Sequence, residues 1–291
     1  MNVGVIIASL GRPDSVGVLL DRLAGQTQCP SQVILSMESP ADAPPAKDYP
    51  FEVECIFGPR GSCVQRNRGL DRLRPDHGAV VFYDDDFIPS RFAIAGIARF
   101  FAQHPDVAGA HGLVLADGIN GPGIAPEDAR RIVDSADAAG DTEAATILAH
   151  THGLYGCNMA YRVSAIAGVR FDENLPLYAW LEDLDFGGRV AGPLVHTDAF
   201  RGVHCGEKRG REKSGRRLGY SQVCNPVYLL RKATLPRRIA VRMILRNLLA
   251  NHARLFRPEP WIDRQGRAAG NWLAIRDVLR GRVDPRRILE L

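Results

Sequence analysis

Residues 79–87 read Ala-Val-Val-Phe-Tyr-Asp84-Asp85-Asp86-Phe, an apolar run that ends in three consecutive carboxylates. A run rich in valine and aromatics reads as a buried strand. Three adjacent acids repel one another unless a cation or tight hydrogen bonds hold them. In an open α/β sheet, ligands bind just beyond the carboxyl ends of the strands. The chemistry such a cluster supports is capture of a hard divalent cation, Mg²⁺ or Mn²⁺, together with a phosphate-bearing ligand. A solvated acidic turn is the alternative that Asp-x-Asp alone leaves open.

The elements that must position this cluster alternate between strand and helix. Val3–Ala8, Gln32–Met37, 52–57, 79–83 and 107–115 read as strands. Residues 16–24, with Asp14 or Ser15 as cap, 63–73 and 92–103 read as helices. Strand–helix alternation at this spacing predicts an α/β fold, a mostly parallel sheet with helices on both faces. Residues 117–150, rich in Gly, Pro, Asp and Ala, break the rhythm around a possible helix at 126–134. They read as a lid or substrate loop, or as a disordered segment. The stretch 205–222 is Gly-rich and basic, hence loop-like. From Pro236 onward the chain reads as a helix bearing Arg238, Arg242 and Arg246 four apart. That pattern suits lying on a membrane surface or packing back on the body.

The 291 residues allow one large domain, or one domain with an appendage. No stretch of 18 apolar residues is present, which excludes a helical membrane span from the reading. The opening Met-Asn-Val-Gly-Val-Ile reads as a first strand rather than a secretory leader. Six cysteines, at 29, 55, 63, 157, 205 and 224, show no CxxC or zinc spacing, so they read as reduced thiols of a cytoplasmic protein. Residues 201–291 carry 22 Lys/Arg against 7 Asp/Glu, a net of +15, and the rest of the chain is −11. An acidic body with a basic tail suggests a metal site in the first and an anionic partner for the second.

Five ordered segments carry a resemblance. They are Val5-Ile-Ile-Ala-Ser9-Leu-Gly-Arg12-Pro, Gly61-Ser-Cys-Val-Gln-Arg66-Asn67-Arg-Gly69, Phe82-Tyr-Asp84-Asp85-Asp86-Phe-Ile-Pro89, Gly156-Cys-Asn158-Met-Ala-Tyr-Arg162, and Trp180-Leu-Glu182-Asp183-Leu-Asp185-Phe-Gly-Gly-Arg189. Together they resemble the family 2 glycosyltransferases of the GT-A fold over roughly residues 1–205. The segment after Asn225 and the ending Gly281-Arg-Val-Asp-Pro-Arg-Arg more loosely resemble bacterial rhamnosyltransferase-like members. The implied division is a catalytic domain over 1–222 and a basic helical extension over 223–291.

What the resemblance implies is transfer of a sugar from a nucleoside-diphosphate sugar to a hydroxyl of a glycan or lipid-linked acceptor, with inversion. A pyrophosphate leaving group needs a Lewis acid, so Mg²⁺ or Mn²⁺ is the implied cofactor. Asp86 is the implied metal ligand, with Asp84 or Asp85 on the ribose. His204 is an added metal ligand, suited to Mn²⁺ more than Mg²⁺. Ser9 and Arg12 touch the nucleotide, Arg66 reaches a phosphate, and Glu38, or Ser36, reads the base. Asp183, with Glu182 beside it, takes the proton of the attacking hydroxyl; an acid-rich helix start is the structural reading of the same pair. Asp185 is free to pair with Arg189. Asn158 contacts an acceptor hydroxyl and Trp180 stacks on a sugar ring or sits in the core. The run Lys208–Arg217 closes over the pyrophosphate.

The implied partners are donor, acceptor and an anionic membrane surface met by the tail, with no nucleic acid and a cytoplasmic, peripherally membrane-bound location. Two rivals remain: a nucleotidyltransferase or other phosphate enzyme, against which the single glycine of Ser9-Leu-Gly-Arg-Pro argues, and a non-catalytic nucleotide-sugar binder.

Overall fold

The computed structural model of the chain describes residues 1–141, 145–206 and 215–291. The first strands form where the apolar runs predict: Val3–Ala8 (β1), Gln32–Met37 (β2), Val53–Phe57 (β3) and Ala79–Asp84 (β4). Helices Pro13–Ala24 (α1), Ser62–Arg72 (α2) and Ala93–Gln103 (α3) connect and follow them. Helix α1 starts earlier than expected and uses neither Asp14 nor Ser15 as a side-chain cap. Pro13 opens it instead, since a fixed φ and a missing N–H suit the first helical position.

Next come Phe87–Pro89 (β5), Gly109–Asp117 (β6), Pro126–Ala138 (α4), Ile147–Thr151 (β7), Asn158–Arg162 (β8), Glu182–Gly187 (α5) and Leu194–His204 (β9). Helices Gly215–Arg231 (α6), Arg237–Ala253 (α7) and Arg264–Leu279 (α8) complete the chain. By Cα packing the chain forms two compact units. The first holds residues 1–60, 64–170 and 190–207; the second holds 61–63, 171–189 and 208–291. The expected division after residue 222 falls inside α6.

The first unit is built on one sheet, ordered β3-β2-β1-β4-β8-β6-β9-β5 with β7 on β9. Among the nine described strands, six run one way and β5, β7 and β8 run the other. Helices α1 and α3 bury Leu19, Leu23, Ile97 and Phe100 with Val5, Ile7 and Val81 of the sheet. The opposite face takes α2 at close range: a Cβ on Gly69 would sit 2.6 Å from Ile6 Cγ2.

The chain leaves β1 toward β2 and β3 on one side and returns to β4 on the other. Strand order therefore reverses between β1 and β4, where Ala8 lies beside Asp84. Such a switch point opens a crevice at the carboxyl ends of the strands. Strands β6 and β9 run in the same direction and end with Asp117 opposite His204.

Within its described residues, the segment 117–150 is ordered against the sheet, and the helix expected at 126–134 forms as α4. Helix α4 buries Ala129 and Val133 against Ile88, Val203 and Cys205, and β7 pairs with β9. Asp137 at the end of α4 accepts hydrogen bonds from Ser90 Oγ (2.6 Å) and the Arg91 backbone N–H (2.9 Å).

In the second unit, residues 215–222 are helical rather than loop-like. Their glycines serve helix packing, because a Cβ on Gly219 would stand 2.0 Å from the Arg267 carbonyl oxygen of α8. The same unit is stapled by a buried ion network. Asp185, 0 % exposed, accepts from Arg189 Nη2 (2.7 Å), Lys232 Nζ (2.8 Å) and Thr234 Oγ1 (2.7 Å). Lys232 also reaches Asp172 at 2.5 Å, and Tyr228 donates to that carboxylate at 2.8 Å. Burial raises the Asp172 pKa, but the Lys232 and Tyr228 hydrogen bonds outweigh it and bring the group down to about 2.

Removing one partner of a buried pair typically costs about 3–5 kcal/mol. Lys232→Met should destabilise the protein by about 3 kcal/mol at neutral pH in urea unfolding. Because the Asp172 pKa is depressed, its contribution is present above the usual carboxylate range of about 4 and is lost as pH falls toward 2. The gap between wild type and variant should therefore narrow over that window. A gap that stays constant down to pH 2 would remove Asp172 from the account.

Candidate active site

The turn after β1 is held from three sides. Gly11 adopts φ +65°, where a side chain would be strained, and its N–H donates to Asp42 Oδ1 at 2.7 Å. Asp42 also accepts from Ser39 N–H (2.9 Å) and Ser39 Oγ (3.1 Å), closing a capping box on the short turn Pro40–Asp42. Gln65 Nε2 donates to the carbonyls of Ser9 and Ser36, both at 2.7 Å, joining the exits of β1 and β2.

The acidic triplet divides by side-chain direction. Asp85 turns toward β1, where Ser9 Oγ donates to it at 2.6 Å and Arg12 Nη1 at 2.7 Å. Burial pushes the Asp85 carboxyl above the usual carboxylate range; Arg12 pulls the other way, and the neighbouring Asp86 charge reinforces the rise. Asp84 and Asp86, two residues apart, converge on the end of β9. Their carboxylate oxygens and a ring nitrogen of His204 all lie within 4.8 Å of one another. His204 Nε2 is 3.5 Å from Asp86 Oδ1 and 3.8 Å from Asp84 Oδ2. Arg66 Nη2 donates to Asp84 at 3.0 Å, and Arg12 Nη1 stands 3.7 Å from Asp86.

The other ring nitrogen of His204, Nδ1, is 2.9 Å from Asp117 Oδ1, and the Tyr155 hydroxyl donates to Asp117 Oδ2 at 2.7 Å. A carboxylate on the far nitrogen is the arrangement that orients metal-binding histidines. Burial disfavours the imidazolium, but Asp117, Asp86 and Asp84 together hold the His204 pKa up to about 10. The ring proton thus supplies the positive charge that the two carboxylates demand. Two carboxylate oxygens and an imidazole nitrogen fit a divalent cation of the Mn²⁺ or Mg²⁺ kind.

The second unit carries Glu182 and Asp183 at the start of α5. The three residues Leu177, Ala179 and Leu181 before them have φ of +59°, +53° and +76°. Non-glycine residues in this region cost about 1–3 kcal/mol each and persist where surrounding structure over-determines them. Here the holders are Ser62 N–H on the Leu177 carbonyl (2.9 Å) and Asn225 Nδ2 on the Trp180 carbonyl (2.8 Å). Glu182 is buried and Asp183 half-buried, with Asp183 Oδ1 accepting the Leu184 N–H at 2.8 Å. Asp185 is committed to the Arg189, Lys232 and Thr234 network.

The remaining sequence candidates lie as follows. Glu38 is exposed just past β2, while Ser36 is buried with its Oγ accepting from Arg68 Nε at 3.1 Å. Trp180 is half-buried. Asn158 is 1 % exposed on β8, opposite Tyr83 of β4, and neither of its side-chain polar atoms has a hydrogen-bond partner among the described residues. Lys208, Arg211 and Lys213 lie outside the described residues; Arg217 donates to the Leu291 carbonyl at 3.2 Å.

Four residues of the site escape the sequence reading: Asp42, Gln65, Asp117 and Tyr155. Ser39-Pro-Ala-Asp42 carries a capping-box signature that pointed to Asp42. Asp117 ends β6, two residues beyond the strand expected from the apolar run. Gln65 and Tyr155 have no local signal.

No protein-family model matches the chain. A curated relative, glutamate-1-semialdehyde 2,1-aminomutase of Roseiflexus castenholzii, is 28% identical over 110 residues, 37% of this chain; the chain spans only 25% of that protein's length. Among solved structures, S. aureus TarS 1-349 aligns with a TM-score of 0.55 at 14% identity, covering 97% of this chain and 83% of that one. The same protein in complex with UDP-GlcNAc aligns at 0.55 and 13% identity, covering 100% and 91%. The mannosyltransferase PcManGT from Pyrobaculum calidifontis, in complex with GDP-Man and Mn²⁺, aligns at 0.53 and 15% identity, covering 99% and 85%. The mixed α/β fold of this chain, with its central, mostly parallel sheet, is of the GT-A type found in these neighbours.

Proposed function

We propose that the protein is a cation-assisted glycosyltransferase that moves a sugar from a nucleoside-diphosphate sugar to a hydroxyl of a glycan or lipid-linked acceptor, with inversion. The observation that carries the proposal is the convergence of Asp84, Asp86 and His204 at the sheet's switch point, with Arg12 and Arg66 on the two carboxylates. A generic acidic turn has no reason to gather an imidazole and two guanidiniums from three other elements. Family 2 is the proposed placement, with the tail segments more loosely resembling rhamnosyltransferase-like members. Residues 1–222 supply the catalytic machinery and 223–291 a basic helical extension. The six cysteines are all free thiols, which suits a reducing, cytoplasmic compartment.

In this reading Asp84, Asp86 and His204 hold Mn²⁺ or Mg²⁺, which when bound draws off the charge that develops on the departing pyrophosphate. Asp85 is the strut of the donor loop: it fixes Ser9 and Arg12 so that their backbone and remaining donors face the nucleotide. Arg66 offers its guanidinium to a phosphate, and Glu38, exposed past β2, reads the base. Asp183 takes the acceptor proton, with buried Glu182 setting the field around it. Trp180 offers a face to a sugar ring. An acceptor contact by Asn158 requires the segment 156–158 to open, since its amide is enclosed.

A thermal-shift series tests the donor side. Nucleoside diphosphates with Mn²⁺ should raise Tm more than either component alone, because a ligand at about 100 times its Kd adds about 2.7 kcal/mol of stability. If no nucleoside diphosphate or nucleotide-sugar shifts Tm in the presence of Mn²⁺, the donor-site reading fails.

A further inference from the structure

Helix α7 is apolar on two faces. On one, Ala240 and Asn251 are buried while Ile244 and Leu248 pack against Tyr220, Val223 and Ala274 of the second unit. On the other, Val241, Leu245 and Leu249 recur every fourth residue and are 44 %, 53 % and 69 % exposed. Arg237, Arg238, Arg242 and Arg246 are interleaved with that outer stripe. Aromatic side chains border it. Trp272 of α8 is 62 % exposed with its ring edge-on to His252 at 5.8 Å, and Phe256, just past the helix, is 93 % exposed. Residues 233–258 hold six arginines and no acid.

We propose that the outer face of α7 docks on the surface of an anionic phospholipid bilayer, with Val241, Leu245, Leu249 and Phe256 entering the acyl boundary and the arginines on lipid phosphates. An apolar stripe flanked by basic residues and edged by tryptophan is the composition that lies in a membrane interface. Charge complementarity favours this occupant over a second copy of the chain. A two-fold contact on this face would set arginine stripe against arginine stripe, and like charges facing each other are repulsive. A nucleic acid would meet the arginines but leave the leucines without a partner. No described helix is long and apolar enough to cross a membrane, so the contact is with the surface. The inference does not rest on the glycosyl-transfer reading.

Sedimentation with vesicles tests it. The protein should pellet with an equal mixture of phosphatidylcholine and phosphatidylglycerol, stay in solution with phosphatidylcholine alone, and be released by high salt. Each basic residue near such a surface contributes about fivefold in binding, so Arg238→Ala/Arg242→Ala/Arg246→Ala should weaken it on the order of a hundredfold. Leu245→Ser/Leu249→Ser should weaken binding to the mixed vesicles while leaving the salt response. Brominated phosphatidylglycerol should quench tryptophan emission in wild type and much less in Trp272→Phe. All the substituted side chains are exposed, and circular dichroism checks that the variants fold. Equal pelleting of the triple arginine variant, or wild type that ignores phosphatidylglycerol, overturns the proposal. So does a Leu245-dependent dimer in sedimentation equilibrium without lipid, which would make the occupant a second copy.

Discussion

Asp86→Ala should abolish measurable Mn²⁺ binding while leaving the fold intact. Asp86 is the buried carboxylate of the Asp84–Asp86–His204 set, and its loss leaves one carboxylate and one imidazole to face a cation. The expected fall in Mn²⁺ affinity exceeds the about 10–100-fold typical of losing an outer hydrogen-bond partner, and titration followed by the electron paramagnetic resonance of free Mn²⁺ reads it directly. Asp117→Asn supplies the contrast. It keeps the shape of the group that holds His204 Nδ1 and Tyr155 but removes the charge, so it should fall within about 10–100-fold. If Asp86→Ala binds Mn²⁺ as wild type does, the cluster is not a metal site, and the donor-site reading loses its main support.

The second large effect concerns the opening of α5. In the proposed reaction a carboxylate takes the proton of a weakly nucleophilic hydroxyl, a role worth about 10²–10⁴-fold in rate. Asp183→Asn should lower turnover by about that factor with little change in nucleotide affinity. The substitution retains an oxygen for the Leu184 N–H, so the helix start is preserved. Glu182→Gln, measured alongside, separates the two acids: the larger loss marks the base. Unchanged turnover in Asp183→Asn removes it from the mechanism. Backbone outliers at Leu177, Ala179 and Leu181 lend weight to a functional reading of this segment, since strain of this kind concentrates at working sites.

Much of the molecule was legible from the chain alone, because the signals are local. An apolar run of five or six residues predicts a buried strand whatever surrounds it, and β1, β2 and β4 lie where those runs lie. The carboxylate triplet at the end of β4, Arg66 near the start of α2 and the acids at the start of α5 are equally short-range features. The places where the reading failed are those where a neighbour far along the chain decided the outcome. Residues 215–222 looked like loop because they are rich in glycine and arginine, yet their glycines are what let α6 approach α8. In the segment 117–150 the helix expected at 126–134 forms as α4, but its packing of a small apolar face on β5 and β9 had no local signal.

Tertiary structure alone settled the partners within the triplet. In sequence Asp84, Asp85 and Asp86 are equivalent neighbours, with Asp84 and Asp85 indistinguishable candidates for the ribose. The register of β1 on β4 brings Ser9 and Arg12 to Asp85, and the ending of β9 brings His204 to Asp84 and Asp86. Asp117 meets His204 across 87 positions of sequence because β6 and β9 run parallel and end together. Residue type and short spacing determined which groups the chain carries and which element each would end. Strand order and register, set by burial of whole faces, decided which of those groups face one another.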